Sequence, residues 1–276
     1  MTIKLIASDM DGTFLVNEDE YDQAHFEKVL RQLKDKDIRF VAASGRRLQN
    51  LQELFAPIAD KELLDQIDYV GSNGSVVATS KKELYSIYLG ADLIEKVIRW
   101  NSGYAPSANN LIVLSGIKGT YVSNHATKEV IEIISRFYPN VMQVEKLLEI
   151  DDQILGVSFI WPHEEVQGYV QDIEDLFGNE IHVTGSGFGS VDILPRDVNK
   201  ANALQILQDY YGIDDDEVMV FGDNSNDLEM LEKYKEAYLM PNAATFMHEM
   251  HDKEAVTTNV EAGVLRTIEE KLSLDK

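Results

Sequence analysis

The feature that most restricts what this chain can become is its alternation of short apolar runs with segments of helical period. Ile3-Lys4-Leu5-Ile6-Ala7-Ser8 is of strand length, and Asp22 to Asp35 sets Phe26, Val29, Leu30 and Leu33 on one helical stripe. Ile38 to Ala43 is a second buried strand, a helix from about Leu48 to Phe55 stops before Pro57, and Asp68 to Gly71 is a third strand entering the turn signal Ser72-Asn73-Gly74. A β-α-β-α-β order predicts a parallel sheet with helical crossovers, an α/β fold.

The texture changes from about Lys82. Glu83 to Leu89 reads as a strand, Asp92 to Trp100 as a helix, Leu111 to Leu114 and Gly119 to Val122 as a strand pair. Lys128 to Tyr138 is an amphipathic helix, Leu155 to Trp161 a strand, and Glu164 to Phe177 a helix ended by Gly178. This predicts an α+β unit with an antiparallel sheet, residues 83–189, inserted into a discontinuous core of residues 1–82 and 190–276. The core pattern resumes with the strand Ser190 to Leu194, a helix opened by Asn199-Lys200-Ala201-Asn202, the strand Glu217 to Phe221 and the helix Leu228 to Tyr234. Gly185-Ser186-Gly187-Phe188-Gly189 precedes a strand, whereas dinucleotide-binding glycines open a helix. It fits a flexible re-entry from the insert, with backbone exposed near a ligand.

Composition narrows the function. The 276 residues hold no cysteine, which excludes disulfides, thiolate metal sites and a cysteine nucleophile. The formal charge of −23 repels nucleic acid and anionic membranes, and Lys and Arg form no run longer than Arg46-Arg47 or Lys81-Lys82. An anionic small substrate therefore needs local positive charge at its site, which is feasible when fields are screened over about 8 Å. The N-terminus has no export pattern and the longest apolar runs fall far below the roughly 18 residues of a membrane span, so a cytoplasmic protein is expected, as a monomer or weak dimer. Asn73-Gly74-Ser75 fits a glycosylation pattern but is more simply a turn.

Carboxylates gather where strands end. Asp9 and Asp11 lie two residues apart at the end of the first strand, on one face of an extended backbone, and Gly12 lets the chain turn away. They read as a nucleophile with a general acid/base, or as an Asp-rich turn. Asp223 and Asp227 follow the strand Glu217 to Phe221, at the edge where open α/β sheets place ligands, and Asp227 also suits a helix N-cap. Lys200 in a first helical turn opposes the helix dipole, so either an anion lies nearby or the lysine is solvated. If the acids converge, two charges about 4 Å apart repel by about 4 kcal/mol at an effective dielectric near 20, and a cation is the natural compensation. All available ligands are oxygens, which suits a hard ion, Mg2+ before Ca2+ or Mn2+.

Asp9-Met10-Asp11-Gly12-Thr13, Ser44, Lys200 and Gly222-Asp223-Asn224-Ser225-Asn226-Asp227, in that order, resemble the four motifs of the haloacid dehalogenase superfamily. The insert between the second and third resembles the αβ-capped Cof-type sugar-phosphate phosphatases, with a Rossmann-like core; Ala201 stands where many Cof-type members have Gly. The resemblance implies an Mg2+-dependent phosphatase of small phosphorylated sugars. Asp9 would attack phosphorus to give an aspartyl-phosphate, and Asp11 would protonate the leaving oxygen and then deprotonate water. Mg2+ would rest on the Asp9 carboxylate, the Asp11 carbonyl and Asp223. Lys200, Ser44, the amides of Met10 and Gly45, and Asn226 would bind the phosphoryl group, with Asp227 orienting Lys200 or a metal-bound water, and the insert acting as a mobile cap. Dehalogenases lack the second acid, so Asp11 favours phosphoryl chemistry. The alternatives are a phosphotransferase or phosphomutase on the same chemistry, and a non-catalytic sensor of phosphorylated metabolites. Arg46 is either a substrate contact or a surface residue, and His248 with His251, three apart, lack an evident third metal ligand.

Overall fold

The computed structural model describes residues 2–17, 19–104, 110–135, 138, 140–160, 167–187 and 189–274. Trp161, Glu164, Arg136, Phe137 and Phe188, on which expected elements partly rest, lie outside these residues. The chain forms two units, Met1–Ser86 with Asn199–Lys276, and Ile87–Val198.

In chain order, the first unit opens with β1 (Leu5–Ser8), α1 (Gln23–Asp35), β2 (Arg39–Ala43), α2 (Leu48–Phe55), α3 (Lys61–Leu64), β3 (Ile67–Gly71), β4 (Val76–Ala78) and β5 (Glu83–Ser86). The second unit holds α4 (Ala91–Gly103), β6 (Leu111–Gly116), β7 (Thr120–Ser123), α5 (Lys128–Ile134), β8 (Val141–Val144), β9 (Ile154–Ile160), α6 (Gln167–Phe177), β10 (Ile181–Gly187) and β11 (Ser190–Pro195). The first unit resumes with α7 (Lys200–Tyr211), β12 (Val218–Gly222), α8 (Leu228–Lys233), β13 (Glu236–Leu239) and α9 (Gly263–Leu272).

The first unit is a seven-stranded sheet ordered β13-β12-β1-β2-β3-β4-β5, parallel from β13 to β3 and antiparallel at β4 and β5. Successive residues of each central strand point to opposite faces. Ile6, Phe40, Met219 and Phe221 pack under α1, α2 and α9 with Phe26, Leu30 and Ile268. Leu5, Ala7, Val41, Val218 and Val220 pack under α7 and α8 with Leu204, Leu207 and Leu231. Both faces are covered, which is why these strands read as continuous apolar runs. The helix ends follow local chemistry: the Asp22 side chain caps α1 at His25 N, Asn199 caps α7 at Asn202 N, and Gly212 closes α7 in the left-handed region at φ 68°.

The second unit is a six-stranded sheet ordered β10-β11-β9-β6-β7-β8, antiparallel except where β7 meets β8. Ile94, Val97 and Ile98 of α4 and Ile173 of α6 pack on Val157, Phe159, Val191 and Ile193, while Ile134 of α5 packs on Val113 and Val122 from the opposite face.

Three expectations change. Ser190 to Leu194 is not a core strand: β11 pairs antiparallel with β9 and β10, so the core resumes at Asn199 rather than at residue 190. The stretch Glu83 to Leu89 is strand only to Ser86, and it edges the core sheet beside β4, so the insert begins at Ile87. An apolar run fixes that a strand exists but not which neighbour it pairs with. Finally, Gly185 and Gly187 belong to β10 around a register irregularity and Gly189 has φ 73°, so these glycines join two strands of one hairpin instead of linking the units.

Candidate active site

Parallel pairing brings distant residues level at one sheet edge. Ser8 is in register with Phe221 on one side and Ala42 on the other, and Asp9 N donates to the Phe221 carbonyl at 3.0 Å. Asp9 follows Ser8 directly, and Ser44 and Asp223 stand two residues past Ala42 and Phe221, so the three strands deliver them to the same sheet edge. Lys200 arrives as expected, on the first turn of a helix, α7, rather than from a strand of this sheet.

Lys200 is completely buried. Its Nζ donates to Asp9 Oδ1 at 2.5 Å and to Asp227 Oδ1 at 2.6 Å. Burial lowers the ammonium pKa, but the two carboxylates outweigh it and raise the value above its usual one. Such a lysine stays charged at any physiological pH.

Asp227 uses both oxygens: Oδ1 takes Lys200, and Oδ2 accepts from the backbone N–H groups of Asp223 at 2.8 Å and Asn224 at 3.1 Å. It closes a capping box with Asn224 in the short turn Ser225–Asp227 and makes no side-chain cap to α8, so its expected N-cap role is displaced one turn upstream. Gly222 makes this possible, because a Cβ there would stand 2.5 Å from Asp227 Cβ.

Asp223 is held from the loop after β1. Thr13 Oγ1 donates to its Oδ1 at 2.6 Å, and Gly12, at φ 84°, lies so close that a Cβ would meet Asp223 Oδ2 at 2.6 Å. Asn242 Nδ2 donates to the Gly12 carbonyl at 2.7 Å and its Oδ1 accepts from Asn259 N at 3.1 Å, fixing the same loop from outside.

Asp11 is set apart from this buried group, with its side chain 42% exposed. Arg46, only 10% exposed, donates Nε to Oδ2 at 2.8 Å and Nη2 to Oδ1 at 2.6 Å, and pairs through Nη1 with Asp19. These bonds outweigh burial and raise the guanidinium pKa further above its ordinary value. Arg46 is therefore neither of the two expected things alone: it grips the proposed acid/base.

Asp9, Asp223 and Asp227 each offer an oxygen within 4.8 Å of the other two. Lys200 is the cation among them, so the group carries excess negative charge when all three are ionised. Burial pushes the Asp9 carboxyl well above its usual range, with Lys200 opposing and the neighbouring carboxylates adding to the rise. The same burial and the Asp227 charge lift Asp223 to about 7, against the pull of Thr13 and Lys200. An all-oxygen group short of positive charge fits a hard divalent cation. Because Asp227 is engaged at both oxygens, Asp9 and Asp223 are the carboxylates with capacity to spare.

Ser44 Oγ accepts from Arg46 N at 3.1 Å, and Asn226 Nδ2 donates to Asn73 Oδ1 at 3.1 Å. Met10 is buried directly after Asp9, and Gly45 lies against the Asn73 side chain. Thr13, Asp19, Asn73 and Asn242 were not singled out as site residues; Thr13 alone carried a signal, since it ends the first motif. The histidines separate: His248 Nδ1 pairs with Glu254 at 2.9 Å and His251 Nε2 donates to the Ala237 carbonyl at 3.0 Å. Among the described residues, no helix is long and apolar enough to cross a membrane.

Residues 6–268 match the haloacid dehalogenase-like hydrolase family. The 5-amino-6-(5-phospho-D-ribitylamino)uracil phosphatase YbjI of Escherichia coli is 30% identical over 272 residues, covering 99% of this chain and 97% of its own. An HMP-PP phosphatase of Enterobacter is 26% identical over 242 residues, 87% of this chain and 85% of its own. The crystal structure of SMU.1108c from Streptococcus mutans superposes with a TM-score of 0.91 at 31% identity, covering 99% of this chain and all of that one, 100%. A haloacid dehalogenase-like hydrolase from Bacillus subtilis has the same fold, with a TM-score of 0.81 at 18% identity over 97% of this chain and 99% of that one. A motif order legible in the sequence, a sheet that gathers it at one edge, and relatives aligned from end to end agree: the chain belongs to the haloacid dehalogenase-like hydrolases.

Proposed function

We propose that this protein is a Mg2+-dependent phosphatase of small phosphorylated metabolites that works through an aspartyl-phosphate on Asp9. The observation that carries the reading is the placement of Asp9 at the sheet edge, one carboxylate oxygen held by a buried, permanently charged lysine and the carboxyl beside Asp223. Uncatalysed phosphate monoester hydrolysis is among the slowest of reactions, so both positioning and charge neutralisation must be large.

In the first half-reaction an Asp9 oxygen attacks phosphorus as the P–O bond to the organic group breaks, and the departing oxygen takes a proton from Asp11. In the second, Asp11 removes a proton from water, which attacks phosphorus, releases inorganic phosphate and restores Asp9. Lys200 and the Ser44 hydroxyl engage phosphoryl oxygens, with the amides of Met10 and Gly45 and the Asn226 side chain. Asp227 orients Lys200. Mg2+ would be held by the Asp9 and Asp223 carboxylates and the Asp11 carbonyl, and when bound it supplies Lewis-acid neutralisation of the phosphoryl charge.

The relatives' names widen the substrate expectation: one carries a phosphoribityl group on a pyrimidine and another is an HMP-PP phosphatase. Sugar and sugar-alcohol phosphates, free or joined to a heterocycle, form the proposed substrate class. The inserted unit is assigned their selection, as a mobile cap. A substrate class of small phosphorylated metabolites supports action in the cytoplasm. The test is phosphate release from a panel of such compounds with and without Mg2+, comparing wild type with Asp9→Asn. Turnover that needs Mg2+ and vanishes in a folded Asp9→Asn protein is expected; activity of the variant within about tenfold of wild type removes Asp9 as nucleophile.

A further inference from the structure

The turn Ser72–Gly74 between β3 and β4 touches three of the four motif loops. Ser72 N donates to the Arg46 carbonyl at 2.8 Å and Asn73 N to the Ser44 carbonyl at 3.0 Å, so the turn hangs on the loop after β2. A Cβ at Gly74 would stand 2.6 Å from the Asn199 carbonyl, the residue that caps α7 one position before Lys200. Asn73 Oδ1 accepts from Asn226 Nδ2, in the loop after β12. The backbone here is unusual: Ser72 at φ 50° and Asn73 at φ 54° are consecutive non-glycine residues in the left-handed region, followed by Gly74 at φ 111°. Asn73 is only 4% exposed. A turn that merely reversed the chain would gain nothing from burying a strained carboxamide, and such conformations persist where neighbouring structure over-determines them.

We propose that Asn73 is a positioning residue of the phosphoryl-binding site, acting through Asn226 and Gly45. The inference rests on the site reading given above. Asn226 projects from a short turn, and its carboxamide has a definite orientation only if something holds it. With one Nδ2–H committed to Asn73, the other is set in a fixed direction as a donor for a phosphoryl oxygen. On the other side, the Asn73 carboxamide crowds Gly45, where a Cβ would stand 3.2 Å from Oδ1 and 3.3 Å from Nδ2. The side chain thus packs on the Ser44–Gly45 peptide, whose carbonyl the Asn73 backbone N–H already holds. Asn73 thus couples the second and fourth motifs, which lie on different strands.

The test uses Asn73→Gly, which keeps the left-handed backbone and removes only the carboxamide, with Asn226→Ala and the double variant. Binding of inorganic phosphate in the presence of Mg2+ is measured by titration calorimetry, alongside kcat and KM for an aryl phosphate and the melting temperature. Each single variant should weaken phosphate binding by about tenfold or more, the value of a hydrogen bond to a charged group, with the fold retained. The double variant should lose clearly less than the product of the two single losses, because the Asn73–Asn226 bond is removed in both. Phosphate affinity within about twofold of wild type in a folded Asn73→Gly protein, or losses that multiply in the double variant, would overturn the proposal. A wild-type protein that binds phosphate through Asn73 without turning over substrate would support the positioning role while rejecting the phosphatase reading.

Discussion

Arg46 holds both carboxylate oxygens of Asp11, through Nε at 2.8 Å and Nη2 at 2.6 Å, in the fork geometry that only a guanidinium provides. Each oxygen accepts one bond and keeps a second lone pair, which leaves room for the proton that the proposed acid/base carries. The proton can thus come and go on the side away from the guanidinium while the fork stays in place. Arg46 therefore fixes where Asp11 waits between its two duties. Arg46→Lys is expected to behave much like Arg46→Ala, each lowering kcat/KM about tenfold to a hundredfold with little change in the melting temperature, because an ammonium cannot make the bidentate contact. Steady-state kinetics with a sugar phosphate checks this, and a lysine variant at wild-type efficiency would show that charge alone suffices.

Lys200 should matter twice, for phosphate and for the fold. Removing it leaves Asp9 and Asp227 buried without their cation, and losing one partner of a buried ion pair typically costs about 3–5 kcal/mol. Lys200→Met is expected to lower the melting temperature of the Mg2+-free protein by several degrees and to abolish turnover; added Mg2+ should recover part of the stability and none of the activity. Thermal denaturation with and without Mg2+, followed by an activity assay, separates the two effects.

Cation binding should weaken as pH falls through about 7, the value to which burial and the Asp227 charge lift Asp223. The sign follows from the direction of the shift. The folded-state pKa lies above the unfolded carboxylate value, so without a cation Asp223 favours the folded state least at high pH and its penalty disappears on acidification. Mg2+ competes with the proton for the same oxygen. Its apparent Kd should therefore rise by up to about tenfold per pH unit below 7, and its stabilisation of the fold should be larger at pH 8 than at pH 5. Calorimetric titration across this range tests it; a pH-independent Kd would take Asp223 out of the cation site.

Gly12→Ala should damage the same carboxylate by sterics. At φ 84°, with a Cβ 2.6 Å from Asp223 Oδ2, alanine meets both backbone strain and a clash. A loss of about 1–3 kcal/mol in stability is expected together with loss of Mg2+ binding, while Thr13→Ser, which keeps the hydroxyl on Asp223 Oδ1, should retain both. Chemical denaturation and metal titration of the two variants provide the comparison.

The order of elements, the motif residues and their strand-end positions were legible because each rests on local chemistry: apolar runs of strand length, a 3.6-residue stripe through Phe26, Val29, Leu30 and Leu33, and a glycine that lets the chain turn after Asp11. Pairing was not. Ser190 to Leu194 has the same apolar look as a core strand, and only its antiparallel register with β9 and β10 assigns it to the second sheet. Arg46 could not be separated from a surface arginine, since nothing local to it announces Asp11, 35 positions away. Asn73 reads as turn chemistry from its neighbours, and its contact with Asn226 spans 153 positions.

By itself, the sequence determined that acids and a hydroxyl stand just past strand ends and a lysine at a helix start, in the order of one family's motifs. The tertiary structure decided who holds whom: Lys200 on Asp9 across 191 positions, Thr13 on Asp223 across 210, and Arg46 on Asp11. The division is physical. Strand ends and turns are set by residues within a few positions of one another, whereas a contact between loops depends on the order and register of the sheet beneath them, which the packing of the whole core selects.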